Sequence, residues 1–107
     1  MGENVRAPRK PALVTGGSRG LGRALCRHLA AGGAPVAFTY TRDEPGAAAT
    51  LQVIQAAGAE GRAFKVSFLD AAATAAMVRE LEAAWGGIDV LVTHVGVARP
   101  RRLLLPR

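Results

Sequence analysis

The chain is short of the residue types that staple or activate small proteins. Cys26 is its one cysteine, so no internal disulfide can form, and that usage fits a reducing compartment. Lysine occurs at Lys10 and Lys65 only, and tyrosine at Tyr40 only. Aromatic residues make up 5% of the chain. The apolar half is instead rich in alanine, 22 residues against 11 leucines and 10 valines. A core of such small side chains buries little area per residue. No apolar run reaches the length of a membrane span. The opening MGENVRAPRKP lacks the apolar stretch of a secretory signal, and Met1-Gly2 is not followed by the Ser or Thr of a myristoylation signal. These absences lead to the expectation of a cytoplasmic protein with no membrane partner.

What is present is one small domain's worth of chain, 107 residues with a net charge of +6. From this length one folded domain is expected, with a thin stability margin. The positive excess sits on the ends. Arg6, Arg9 and Lys10 precede the body, Arg99, Arg101, Arg102 and Arg107 follow it, and residues 11–98 are neutral. A nucleic-acid binder would need a basic stripe on the folded body. Solvated ends are therefore the preferred reading, and no specific nucleic acid is expected. The expected organisation is a flexible basic lead-in (1–10), a folded unit (11–98) and a basic tail (99–107).

The folded unit alternates strands and helices. Lys10–Thr15 reads as a buried strand and Gly20–Ala31 as a helix, with Leu21, Ala24, Leu25, His28 and Leu29 at helical spacing and Gly32-Gly33 as the stop. Val36–Thr41 is a second strand, Arg42–Gly46 a polar turn, and Ala47–Ala57 a helix with Leu51 and Ile54 inward. Arg62–Phe68 is a third strand. Asp70 is placed to cap a helix over Ala71–Trp85, whose inward face is Val78, Leu81 and Trp85. Ile88–Thr93 is a fourth strand. Strands joined by helices imply parallel pairing and right-handed crossovers. The expected fold is α/β, a partial doubly wound (Rossmann-like) parallel sheet of four strands in the order 3-2-1-4 with three helices.

The most informative stretch is Thr15–Gly22, TGGSRGLG, between the first strand and its helix. Gly16 suits the tight turn out of the strand. Gly20 lets the backbone approach a pyrophosphate, and Gly22 lets the helix pack close to the sheet. The helix start offers unpaired N–H groups, Leu21 among them, and the positive end of the dipole. Ser18 adds a hydroxyl. A P-loop is excluded because no Gly-Lys-Ser/Thr follows.

This spacing resembles the cofactor motif of the short-chain dehydrogenases/reductases. The resemblance extends to Trp85-Gly86-Gly87-Ile88-Asp89-Val90-Leu91-Val92, similar to the passage before the family's Asn-Asn-Ala-Gly motif. It spans about residues 11–105, and the branch it most resembles is that of the 3-oxoacyl-carrier-protein reductases. It implies a nicotinamide dinucleotide as ligand and an oxidoreductase ancestry. Arg42 follows the second strand and Arg19 lies in the glycine turn, where cations favour a ribose 2′-phosphate. NADP(H) is therefore expected ahead of NAD(H).

The chain also departs from that pattern. Ser67 falls where the family has an Asp that bonds the adenine amino group, and it can accept one hydrogen bond there. Asn-Asn-Ala-Gly is replaced by Thr93-His94-Val95-Gly96, with only the glycine kept. The resemblance thus implies cofactor contacts at Gly16, Ser18, Arg19, Gly20, Leu21, Gly22, Arg42, Ser67 and Gly96. The family's catalytic Ser, Tyr and Lys have no counterpart: four residues after Tyr40 stands Glu44. No metal site is expected, because Cys26 and His28 point apart on a helix. The expectation is a truncated family member, inactive alone. The alternative is a non-catalytic module that self-associates, or pairs with a full-length relative, through the open edge of its fourth strand. The Val97–Pro106 tail with Leu103, Leu104 and Leu105 is the other candidate to cover that edge.

Overall fold

A computed structural model describes residues 10–67 and 69–93. Element order is β1 (Ala12–Val14), α1 (Gly20–Ala31), β2 (Val36–Tyr40), α2 (Glu44–Ala56), β3 (Gly61–Lys65), α3 (Ala71–Trp85) and β4 (Val90–Val92). The four strands form one parallel sheet in the order β3-β2-β1-β4, as the alternation of elements requires.

Register sorts the side chains onto two faces. Val14 lies beside Phe38 and Val92, and Leu13 beside Ala37 and Leu91. Because successive residues of a strand face opposite ways, these two sets enter separate cores. Val14, Val36 and Phe38 pack with Cys26 and Ala30 of α1 and Ala47 and Ile54 of α2. Leu13 and Ala37 pack with Met77 and Leu81 of α3. Two helices cover one face of the sheet and one covers the other.

The departures from the sequence expectations have local causes. Helix α2 begins at Glu44, inside the expected turn, because the Asp43 carboxylate accepts from the Gly46 N–H (2.9 Å) and Pro45 suits a first turn. Strands β1 and β4 are three residues each, each limited by the other's length in the ladder. Strand β3 ends at Lys65, opposite the last residue of β2.

Helix α1 does not bury its leucine stripe. Its buried residues are Gly22, Cys26 and Ala30, the small side chains that let it lie close to the turn and to α2. Leu25 and Leu29 flank that contact and Leu21 is 62% exposed. In α3 the face turns by one residue: Met77 and Leu81 are buried, while Val78 and Trp85 are half-buried. Asp70 caps this helix as expected, accepting from the Ala73 N–H at 3.0 Å.

Burial pushes the Cys26 thiol up to about 12. Since the thiolate is the nucleophile, Cys26 is expected to resist iodoacetamide at neutral pH and to react fully in denaturant. Rapid alkylation of the native chain, followed by mass, would contradict this placement.

Candidate functional site

The turn between β1 and α1 is anchored from both sides. On the sheet side, the N–H groups of Gly16 and Gly17 both donate to the Thr39 carbonyl of β2 at 3.0 Å, and Gly16 N–H also reaches Thr39 Oγ1 at 3.2 Å. On the helix side, Thr50 of α2 donates its hydroxyl to the Gly17 carbonyl (2.8 Å). Arg23 of α1 donates Nη2 to the Ser18 carbonyl (2.6 Å) and to the Gly46 carbonyl (3.3 Å), and Nε to Thr50 Oγ1 (3.0 Å).

These anchors orient the turn. In a trans peptide the carbonyl and the N–H of the next residue point in opposite directions, and no cis peptide occurs among the described residues. Holding the Gly17 carbonyl on Thr50 therefore turns the Ser18 N–H away from α2. Holding the Ser18 carbonyl on Arg23 does the same for the Arg19 N–H. The Gly16 and Gly17 amides, by contrast, are spent on β2, so the outward amides of the turn begin at Ser18.

The start of α1 adds to them. Helices α2 and α3 carry aspartate caps, whereas the first residue before α1, Arg19, is extended and makes no side-chain cap. The Arg23 N–H takes the Arg19 carbonyl at 3.4 Å. The N–H groups of Gly20, Leu21 and Gly22 come earlier and have no carbonyl one turn back within the helix.

Gly22 has a different role from the one its position suggests. A Cβ there would overlap the carbonyl oxygen of Gly16 and approach the Gly17 Cα. It lets the helix close on the turn itself rather than on the sheet. Gly17 is equally restricted, since a Cβ would meet Phe38 Cβ at 2.5 Å. Gly16 and Gly20 are needed for conformation, with φ of 75° and 59°.

A hollow of about 470 Å³ opens in front of the turn, lined by Thr15, Gly16, Ser18, Arg19, Gly20 and Leu21 and, across it, by Thr39, Tyr40, Thr41 and Val66. Beside it, Ser18, Arg19, Thr41, Arg42 and Asp43 line a second hollow of about 380 Å³. Arg19 borders both, and both arginines are exposed. The structure thus brings Arg19 and Arg42, far apart in sequence, around one space. Ser67 is not among the lining residues. It is exposed, and its Oγ accepts from the Leu69 N–H at 3.1 Å. Gly96 lies outside the described residues.

Tyr40 is the side chain to compare with a catalytic phenol. Its hydroxyl donates to Glu44 (3.1 Å), whose other oxygen meets Lys65 Nζ at 3.0 Å. Loss of hydration and the hydrogen-bonded carboxylate both raise the Tyr40 pKa, the reverse of what an efficient proton donor at neutral pH needs. Lys65 holds the Glu44 carboxyl below its usual range. No cluster of three metal-ligating side chains occurs among the described residues, nor any helix long and apolar enough to cross a membrane.

Residue reading alone missed Arg23, Thr39, Thr50 and Gly17. The one available signal was Thr50, a polar residue one turn before the inward Ile54, and the structure buries it fully. Replacing it with the near-isosteric valine leaves the Gly17 carbonyl and Arg23 Nε unpartnered. Thr50→Val is expected to lower stability by about 1–3 kcal/mol, read from the urea midpoint. An unchanged midpoint would remove the anchoring role.

The comparisons agree with this architecture. The family described as short chain dehydrogenase matches residues 10–104. The 3-oxoacyl-acyl-carrier-protein reductase of Staphylococcus aureus is 38% identical over 95 residues, 89% of this chain and 39% of that protein. A short-chain dehydrogenase/reductase from Serratia marcescens superposes with a TM-score of 0.76 at 42% identity, over 82% of this chain and 36% of its own. A short chain dehydrogenase from Burkholderia cenocepacia, solved in complex with NADP, gives 0.75 at 41% identity, over 85% and 37%. The chain spans about two fifths of the length of the curated relatives it matches. With the parallel 3-2-1-4 sheet, the glycine turn and this match on one continuous stretch, the chain belongs to the short chain dehydrogenase family of oxidoreductases.

Proposed function

We propose that residues 11–98 are the dinucleotide-binding half of a short-chain dehydrogenase/reductase and that they hold NADP(H). The basic ends, 1–10 and 99–107, stand outside this unit. The observation that carries the reading is the outward set of amides from Ser18 to Gly22, imposed by Thr50, Arg23 and the uncapped start of α1. Such a run suits a pyrophosphate. The glycine at position 22 lets α1 close on the turn. Arg19 and Arg42 around the neighbouring hollow suit a 2′-phosphate, since a guanidinium can bond two of its oxygens. When bound, the nicotinamide supplies or accepts a hydride. This chain's own part is to bind and orient, because its one phenol, Tyr40, is bonded to Glu44 and its residues hold no Tyr-x-x-x-Lys pair.

Calorimetric titration with NADPH and NADH tests this. NADPH is expected to bind more tightly, with no reduction of a carbonyl compound. Charge-assisted hydrogen bonds contribute about 1.5–3 kcal/mol, so Arg19→Glu with Arg42→Glu is expected to weaken NADPH about ten-fold or more while changing NADH little. Equal losses for both cofactors would place the arginines away from the 2′-phosphate. Absence of binding by the unaltered chain would remove the reading.

A second reading, a module that pairs with another copy or a longer relative, has one observation in its favour. Among the described residues β4 pairs only with β1, and Leu91 on it is 47% exposed. Unpaired apolar edges invite strand addition.

A further inference from the structure

Directly after Arg42, which borders the hollow suited to a 2′-phosphate, the chain places two acids, Asp43 and Glu44. A carboxylate beside a phosphate repels it, and an acid near this point of such a fold suits the free hydroxyls of a ribose instead. The sequence thus sets two negative charges against the cation that precedes them. The groups that hold each acid decide how far those charges act.

Asp43 is taken up by its own helix. It lines the hollow, but its carboxylate accepts from the Gly46 N–H and caps α2, where the helix dipole offsets its charge. Glu44 lies close to Arg42, since its N–H donates to the Arg42 carbonyl at 2.9 Å. A charge at that separation is only partly screened by salt. Both oxygens of Glu44 are occupied. Oε1 accepts from the Tyr40 hydroxyl at 3.1 Å, and Oε2 meets Lys65 Nζ at 3.0 Å.

Sheet register builds this arrangement. Tyr40 and Lys65 are partners in the β2–β3 ladder, so their side chains leave the same face of the sheet. The chain turns back after Tyr40 and starts α2 at Glu44, which brings the carboxylate to both. Tyr40 is a wall of the dinucleotide hollow. Lys65 is not among the lining residues of either hollow, so its effect there passes through Glu44.

We propose that Lys65 is a positioning residue for cofactor choice: by pairing with Glu44 it neutralises that carboxylate and keeps it on Tyr40, so that Arg19 and Arg42 meet a 2′-phosphate against less opposing charge. This rests on the reading of the hollow as a dinucleotide site and adds a determinant outside its walls.

Calorimetric titration with NADPH and NADH at low salt tests this on the full chain. Lys65 and Glu44 are both exposed, so their replacement leaves the core intact. Lys65→Ala is expected to lower the preference for NADPH over NADH roughly three-fold, the scale of an exposed ion pair, and Lys65→Arg to keep it. Lys65→Ala combined with Glu44→Gln is expected to restore the parent's preference, because the charge that Lys65 offsets is gone. A preference unmoved by Lys65→Ala would overturn the proposal, as would an equal weakening of both cofactors, the mark of a purely structural role. A loss that persists in the Glu44→Gln background would show Lys65 attracting the phosphate directly and overturn the action through Glu44. In all three cases the parent still binds, and the dinucleotide reading stands. A parent chain that binds neither cofactor would overturn that reading and this proposal together.

Discussion

Gly22→Ala is expected to weaken dinucleotide binding at least about 100-fold, a loss on the order of 2.7 kcal/mol, while leaving the helical content nearly unchanged. The added methyl meets the Gly16 carbonyl oxygen and the Gly17 Cα. Those are backbone atoms, fixed by the bonds of Gly16 and Gly17 to Thr39 and of Gly17 to Thr50. No side chain can rotate out of the way. Either α1 swings off the turn or the turn lifts off β2, and both movements disperse the amides from Ser18 onward. Overpacking of this kind costs about 1–3 kcal/mol in stability, less than a typical domain possesses. Gly20→Ala is the internal comparison. Its φ is +59° but nothing lies within 4 Å of the added Cβ, so it incurs the left-handed backbone strain of about 1–2 kcal/mol without a clash. Titration of both variants decides the matter. A Gly22→Ala chain that binds as tightly as the parent would show that close approach of the helix does not shape the site.

Phe38→Ala is expected to remove about a third or more of the chain's stability and to lower its unfolding midpoint steeply. Phe38 is the largest of the fully buried side chains. It stands at the centre of the core shared by β1, β2, α1 and α2, with its ring 6.4 Å from that of Tyr40. Truncating a buried phenylalanine costs about 3–5 kcal/mol. Small domains hold only about 5–15 kcal/mol in total, and the neighbours here are mostly Ala, Val and Cys, which cannot reach across the void. The same ring abuts Gly17, so its loss also removes the floor under the turn. Thermal denaturation followed by circular dichroism tests this. A sharp transition within a few degrees of the parent's would mean that the core is less dependent on this ring than its burial indicates.

Much of the fold was legible from residue order because its signals are local. The Gly32-Gly33 stop, the Asp70 cap and the apolar runs each act within a few residues, and the parallel order follows once helices separate the strands. Helix faces were less legible. In α1 the leucines mark one stripe, yet Gly22, Cys26 and Ala30 are the residues buried, because small side chains let the helix close on the glycine turn at one end and on Val14, Val36 and Phe38 along the rest. Strand ends also moved: β1 and β4 end together at the Val14–Val92 pair, and β3 ends opposite the last residue of β2.

The site divides the same way. Its glycine turn and Arg19 belong to one short stretch, and that stretch by itself determined the location of the proposed anion cradle and the order of strand, turn and helix. Only the tertiary structure decided how the cradle is held. Arg23 and Thr50 are 27 residues apart, and Thr39 reaches Gly16 across 23, so no local pattern announces them. It also decided that Arg42 joins Arg19 around one hollow while Ser67 does not line it. The reason is physical: a turn's sequence sets which conformations its backbone can adopt, but the direction of each amide is chosen by the distant groups that hold the carbonyl on the other side of the same peptide.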